Sequence, residues 1–147
     1  MYKAIYFDMD GTIADLYTVE GWLEQLKSSN PAPYENARPL VRLSSLAKRL
    51  NNLQRKGYKV GIVSWGSKAS TKKYLEAVTE AKLKWLEKHM PSVRFDEVKV
   101  VPYGTPKGSC VRHPSGILFD DEERNRKEWK GFAFPEKSIE MVLENLK

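Results

Sequence analysis

The stretch YKAIYFDMDGT, at residues 2–12, joins a short apolar run directly to an acidic turn. Residues 2–7 are aromatic or aliphatic apart from one lysine, which predicts a buried β-strand. Asp8 and Asp10 follow at the end of this strand, and Gly11 allows the chain to turn tightly. Two carboxylates at a strand end point to a site there, since ligands of open α/β sheets bind beyond the carboxyl ends of the strands.

Similar apolar runs recur along the chain and alternate with helical patterns. Four of them are typical of buried strands, at residues 59–63, 98–101, 117–119 and 131–134. Apolar side chains at helical spacing predict helices around residues 19–26, 43–53, 74–85 and 139–146. Residues 28–39, rich in Ser, Asn and Pro, predict a loop. This alternation predicts an α/β fold, an open parallel sheet with helices on both faces.

The composition excludes several classes of protein. With 147 residues, 41% hydrophobic and 30% charged, the chain fits one globular domain over residues 1–147. No apolar run approaches the ~20 residues that span a bilayer, and Asp8 interrupts any signal-peptide core, so we expect a soluble, cytoplasmic protein. A single cysteine, Cys110, excludes an internal disulfide. The formal charge of +6 favours anionic partners only weakly, because excess lysine is often a solvated surface.

Polar side chains gather at the predicted strand ends. They are Asp8, Asp10, Ser64, Lys107, Asp120 and Asp121. Four carboxylates in one crevice repel one another unless a cation compensates, and Mg²⁺ is the usual ion beside carboxylates and a phosphate. The serine hydroxyl and the lysine would then serve phosphate oxygens. These residues therefore predict a combined magnesium and phosphate site.

The motif DMDGT at residues 8–12, placed after a strand, resembles the first motif of haloacid dehalogenase (HAD) superfamily phosphatases. Ser64, Lys107 and the pair Asp120-Asp121 match the second, third and fourth motifs, in the family's order. A lone DxD would be a weak signal, but four motifs in order at strand ends are specific and cover nearly the whole chain. The resemblance implies a Rossmannoid, HAD-like fold.

The resemblance also implies catalytic and metal-binding roles. Asp8 would be the nucleophile, forming an aspartyl-phosphate. Asp10 would be the general acid for the leaving oxygen and then the base for the hydrolytic water. The implied cofactor, Mg²⁺, would be held by the Asp8 carboxylate, the Asp10 main-chain carbonyl and a fourth-motif carboxylate. Asp120 is the expected direct ligand, with Asp121 acting through water.

Four residues are candidates for substrate binding, namely Thr12, Ser64, Trp65 and Lys107. Ser64, Lys107 and the amides after Asp8 would cradle the phosphoryl group, while Thr12 would orient Asp10 or the turn. Trp65 either stacks on a base or sugar or packs against the neighbouring helix. Nearby lysines at positions 68, 72 and 73 either guide a polyanion or form a solvated face.

The segments between the motifs are short, which limits what can cover the predicted site. Neither the insert at about residues 16–39 nor the loop at 102–116 can hold a cap domain with its own core, so we expect a capless enzyme with an open cleft. Residues 8–15 resemble 5′(3′)-deoxyribonucleotidases. Residues 118–121, with Asn125, resemble those enzymes and the 3′-phosphatase domains of phage polynucleotide kinases.

The expected function is a Mg²⁺-dependent phosphomonoesterase acting on a nucleotide or a nucleic-acid terminal phosphate. The sequence leaves two alternatives open. One is a phosphatase for sugar phosphates or phosphoproteins. The other is a non-catalytic module that binds phosphate or nucleic acid without turnover.

Overall fold

The structure, a computed structural model that describes residues 3–68 and 70–147, is built on a parallel β-sheet. The strands are β1 (Ala4–Phe7), β2 (Ala14–Asp15), β3 (Arg38–Pro39), β4 (Lys59–Trp65), β5 (Glu97–Val101), β6 (Ile117–Phe119) and β7 (Ala133–Phe134). The α-helices are α1 (Trp22–Lys27), α2 (Ala32–Asn36), α3 (Leu43–Arg55), α4 (Lys72–His89), α5 (Glu123–Glu128) and α6 (Ile139–Glu144). Within the described residues the main sheet has the order β5-β4-β1-β6-β7 and is parallel throughout. The predicted open parallel sheet is confirmed; Tyr2, included in the first predicted strand, lies outside the described residues.

The central position of β1 brings three strand ends together. Phe7 lies opposite Ile62 of β4 on one side and opposite Phe119 of β6 on the other. Asp8 extends this pairing, because its backbone N–H donates to the Phe119 carbonyl oxygen at 2.9 Å. The side chains at the ends of β1, β4 and β6 therefore share one edge of the sheet.

Both faces of the sheet are covered by helical segments. Ile5 and Phe7 belong to the larger core, together with residues of α3, α4 and α6. Ala4 and Tyr6 pack on the opposite face with Trp129, which directly follows α5. The side chains of β1 are at most 2% exposed. A strand without a solvent face explains why its sequence is an apolar run rather than an alternation.

The longest described helix, α4, contributes residues to the core and also Lys82, which reaches the candidate site. It begins after Thr71, whose hydroxyl accepts the backbone N–H of Tyr74 at 3.1 Å and caps the helix. Its buried face includes Val78, Ala81 and Trp85. Within the described ranges, no helix combines the length and the apolar character required to cross a bilayer.

The insert between β1 and α3 holds more regular structure than its sequence predicts. The prediction of a loop over residues 28–39 was wrong in part, since α2 and β3 lie within it and β3 pairs with β2. The Asn30 side chain accepts the backbone N–H of Ala32 at 3.0 Å, and Pro33 lies in the first turn, where no N–H is needed. Local capping thus starts a short helix inside a stretch with a loop-like composition.

The insert packs against α4 rather than around a core of its own. Leu16 and Tyr34 from the insert form a buried cluster with Tyr74, Val78 and Ala81 of the helix. No cap domain is evident in the part of the chain that the structure describes. The insert instead forms one wall above the strand ends.

Candidate active site

The turn after β1 presents its carboxylates through a tight backbone conformation. The N–H groups of residues 12–14 all converge on the Met9 carbonyl oxygen, at 2.9 to 3.1 Å. Gly11 has a φ of +81°, and a Cβ atom there would lie 2.3 Å from an Asp121 carboxylate oxygen. Glycine is therefore required twice, once by the positive φ and once by the close approach of the fourth motif.

Three carboxylates meet at this edge of the sheet. Oxygen atoms of Asp8, Asp120 and Asp121 all lie within 4.8 Å of one another. Asp120 is fully buried, and Asp8 is 6% exposed. They come from the ends of two neighbouring strands, β1 and β6, as the parallel order requires.

Thr12 joins two of these carboxylates and does not contact the one that was expected. Its hydroxyl lies 3.4 Å from Asp8 Oδ2 and 3.3 Å from Asp121 Oδ1, and it accepts the backbone N–H of Asp121 at 3.2 Å. The hydroxyl is fully buried between them. Of the two expected roles of Thr12, orienting Asp10 is corrected, because the side chain is directed toward Asp8 and Asp121.

Lys107 neutralises part of this negative charge. Its ammonium lies 3.0 Å from Asp8 Oδ1 and 2.6 Å from Asp120 Oδ2, with the side chain 2% exposed. Burial alone opposes the charged form, but the two carboxylates outweigh it and hold the pKa of Lys107 above its ordinary value. The ammonium is therefore charged and fixed between the first and fourth motifs.

Asp120 is held by further donors. The Asn125 amide donates to Oδ2 at 3.1 Å and the Glu122 backbone N–H donates to Oδ1 at 2.9 Å. Asn125 is itself buried, and its carbonyl oxygen Oδ1 has no hydrogen-bond partner. The Asn125 carbonyl oxygen is therefore a further oxygen atom beside the carboxylate cluster that could accept a hydrogen bond or bind a cation.

Asp10 has a different partner, one that sequence reasoning missed. Lys82, in the middle of α4, donates to Asp10 Oδ2 at 2.9 Å, to Ser64 Oγ at 2.6 Å and to the Trp65 carbonyl oxygen at 2.9 Å. Burial raises the pKa of Asp10 above its ordinary value, and the Lys82 ammonium opposes this. A signal was present, since Lys82 falls on the buried helix face shared by Val78 and Trp85, where a lysine is unusual.

A cavity of about 420 Å³ lies above these groups and is bounded by the insert on one side and by loops after β4 and β5 on the other. Its wall is rich in aromatic side chains, which are Tyr17, Trp22, Tyr34, Trp65 and Tyr103. Asp8, Asp10, Lys107 and Asp121 lie among its other lining residues. The sequence predicts an open cleft without a cap domain. In the structure the insert forms no cap domain, but its side chains line one side of the cleft.

Trp65 is fixed at the cavity wall by the loop after β5. Its indole N–H donates to the Thr105 carbonyl oxygen at 2.7 Å, and its ring lies 4.8 Å from that of Tyr103. The Lys107 ammonium stands 5.4 Å from the Trp65 ring centroid. Of the three lysines noted after Ser64, Lys68 lines the cavity, while those at positions 72 and 73 are exposed at the start of α4.

The donor set suits a hard divalent cation. Three carboxylates cluster here, and one ammonium pairs with two of them. Burial, followed by the charge of Asp8, raises the pKa of Asp120 to about 6 and that of Asp121 to about 8. Such crowding marks an excess of negative charge that an ion with oxygen ligands offsets. Asp8, Asp120 and Asp121 would supply the side-chain ligands of such an ion. The Asp10 side chain is turned toward Lys82, so Asp10 would contribute only its main-chain carbonyl.

This crowding predicts a pH dependence of stability in metal-free buffer. Because the folded pKa of Asp121 is raised to about 8, folding favours its neutral form. That stabilisation is complete below the unfolded pKa near 3.8 and is lost as the pH rises toward about 8. Thermal unfolding in EDTA should show the melting temperature falling between about pH 5.5 and about pH 8.5.

The Asp121→Asn variant is the matched control for this effect. Its neutral amide does not titrate, so its melting temperature should fall less steeply over the same pH range. A wild-type profile parallel to that of the variant would contradict the prediction.

Comparison with known proteins bears on the fold. No protein-family model matches the sequence, and no curated protein matches it significantly. A solved structure of similar fold is D,D-heptose 1.7-bisphosphate phosphatase from B. bronchiseptica, in complex with magnesium and phosphate. The two share 15% sequence identity with a TM-score of 0.54, over 90% of this chain and 78% of that chain. The likeness therefore shows the fold alone: this chain has the Rossmann-like α/β architecture of that structure.

Proposed function

We propose that this protein is a Mg²⁺-dependent phosphomonoesterase that works through an aspartyl-phosphate on Asp8, with residues 1–147 acting as one domain. The observation that carries the proposal is the cluster of Asp8, Asp120 and Asp121 beside the cavity, in which Lys107 pairs with Asp8 and Asp120. The structural neighbour, a phosphatase solved with magnesium and phosphate, supports the same class of reaction.

In the first step the Asp8 carboxylate attacks phosphorus and the bond to the leaving oxygen breaks. Asp10 donates a proton to that oxygen, which leaves as an alcohol. Asp10 then takes a proton from water as the water attacks the aspartyl-phosphate, which releases inorganic phosphate and restores Asp8. Lys107 and Ser64 hold the phosphoryl oxygens. Mg²⁺, held by Asp8, Asp120 and Asp121, would offset the repulsion between carboxylate and phosphate.

We propose a nucleotide or a nucleic-acid terminal phosphate as the substrate class. The cavity wall offers planar aromatic faces, and the Trp65 ring stands beside Lys107, so a base or sugar can contact it while the phosphate occupies the floor. The cationic side chains of Lys68 and Arg124 lie near the same aromatic pair. Aromatic faces next to positive charge suit nucleotides better than sugar phosphates.

A substrate panel tests this proposal. Nucleoside monophosphates, 3′- and 5′-phosphorylated oligonucleotides, sugar phosphates and a phosphopeptide are compared by phosphate release in Mg²⁺ and in EDTA. We expect turnover that requires Mg²⁺ and the highest kcat/KM for a nucleotide or oligonucleotide. A preference for sugar phosphates or the phosphopeptide would reject the substrate class, and binding without any phosphate release would favour a non-catalytic module.

The Trp65→Leu variant tests how the base is held. Loss of a stacking face should raise KM for the preferred nucleotide about tenfold while leaving kcat within about twofold. Glycerol phosphate, which has no ring to stack, should be unaffected, and Phe132→Leu, at a remote position 63% exposed, is the control variant. An equal loss on both substrates would show that Trp65 supports the site without contacting the base.

A further inference from the structure

Lys82 is a buried charge that the proposed mechanism does not use. Its side chain is 1% exposed, and among the described residues it shares full burial of an ammonium group only with Lys107. A buried ammonium is costly unless each of its three N–H groups finds an acceptor. The acceptors around Lys82 therefore explain how its charge can be buried.

Each of the three ammonium hydrogens has an acceptor. One goes to Asp10 in the β1 turn, and two go to the end of β4, to the Ser64 hydroxyl and to the Trp65 carbonyl oxygen. The ammonium lies 5.0 Å from the centroid of the Tyr34 ring, which lines the cavity. Lys82 thus has no hydrogen left for a ligand and can act on one only through these partners.

This arrangement determines the direction of the Ser64 hydroxyl. An ammonium donates and cannot accept, so Ser64 Oγ is the acceptor in its bond with Lys82. The single hydroxyl hydrogen of Ser64 must then be donated elsewhere. A serine held in this way keeps its one hydrogen to donate to an anionic oxygen.

We propose that Lys82 is a positioning residue for phosphoryl transfer, which ties Asp10 to Ser64 and leaves the Ser64 hydroxyl hydrogen for a phosphoryl oxygen. This inference rests on the proposed function. A simple ion pair would need Asp10 alone, whereas here the ammonium joins the first and second motifs, which are far apart in the sequence.

A double-mutant cycle on Lys82 and Ser64 tests the inference by the affinity for inorganic phosphate in Mg²⁺. Lys82→Met and Ser64→Ala should each weaken phosphate binding about tenfold. Because Lys82 acts through Ser64, the double variant should bind phosphate about tenfold more weakly than the wild type, and not a hundredfold more weakly. Independent, multiplying effects, or a folded Lys82→Met variant with wild-type affinity, would overturn the inference.

Two controls separate positioning from general stability. Lys84→Met removes an exposed lysine from the same helix, with its side chain 57% exposed, and should leave phosphate affinity and kcat/KM unchanged. Lys82→Arg keeps the charge, but its planar fork cannot direct hydrogens at these three acceptors, so it should remain impaired in kcat/KM. Full recovery by arginine would show that only the charge beside Asp10 matters.

A crystal structure of the wild-type protein with inorganic phosphate keeps the test independent of any unstable variant. Ser64 Oγ, and not Lys82 Nζ, should lie within hydrogen-bond distance of a phosphate oxygen. A direct contact from Lys82 would overturn the inference. Failure of the proposed function is distinguishable, because it would appear as wild-type protein that binds phosphate but hydrolyses no monoester.

Discussion

The Asp8→Asn variant is expected to lose hydrolysis of an aryl phosphate in Mg²⁺ by at least about a thousandfold, because no carboxylate remains to attack phosphorus. Asparagine has nearly the same shape, but its amide is neutral and a poor nucleophile. Asp8 stands at the end of the central strand, 3.0 Å from Lys107 and next to Asp121. The measurement is kcat/KM from phosphate release.

The same variant should fold, which separates chemistry from stability. Asp8 lies close to the carboxylates of Asp120 and Asp121, so removing its charge relieves repulsion as well as breaking the ion pair with Lys107. Because Asp8 is one cause of the raised pKa of Asp121, that pKa should fall in the variant. Glu87→Gln, on the exposed surface of α4, is the control for a neutralised acid. Turnover retained by a folded Asp8→Asn protein would contradict the covalent mechanism.

The Lys107→Met variant is expected to lose both activity and stability. It leaves Asp8 and Asp120 buried without their shared ammonium, and breaking a buried charge pair typically costs about 3–5 kcal/mol. Methionine keeps much of the side-chain volume, so the loss reports on charge more than on packing. Urea unfolding in EDTA at neutral pH measures the change in the free energy of unfolding.

Two responses distinguish the charge effect of Lys107→Met from a packing defect. Lower pH should recover stability, because protonation of the carboxylates removes their repulsion. Mg²⁺ should also recover stability in part by binding the folded state, without restoring turnover. The exposed Lys84→Met variant should unfold as the wild type does. A loss of stability insensitive to both pH and Mg²⁺ would attribute the effect to packing instead.

Much of the fold can be predicted from local patterns in the sequence. The apolar runs predict β1, β4, β5, β6 and β7, and the structure confirms their parallel arrangement. Periodicity also predicts α3, and Gly57 after it has the positive φ of +96° expected past a helix end. These features depend on near neighbours along the chain, which is why they are visible without the tertiary structure.

The structure of the insert and the role of Lys82 could not be predicted from the sequence. Composition favoured a loop at residues 28–39, but side-chain capping at Asn30 and packing of Tyr34 on α4 make part of it helical. Helical periodicity does not reveal Lys82, because it highlights apolar residues, while the contacts of Lys82 are with partners at the ends of β1 and β4. Thr12 likewise contacts Asp121, not Asp10, and this contact joins residues far apart in the sequence.

By itself the sequence determined the strand, the turn and the carboxylates at residues 4–12, because hydrophobic burial and glycine's backbone freedom act over a few adjacent residues. The tertiary structure alone decided how charge is distributed: Lys107 lies with Asp8 and Asp120, and Lys82 with Asp10. The position of a long side chain's charge depends on how a helix or loop packs over the sheet. No pattern along the chain specifies that packing, so the pairing of cations and carboxylates emerged only in three dimensions.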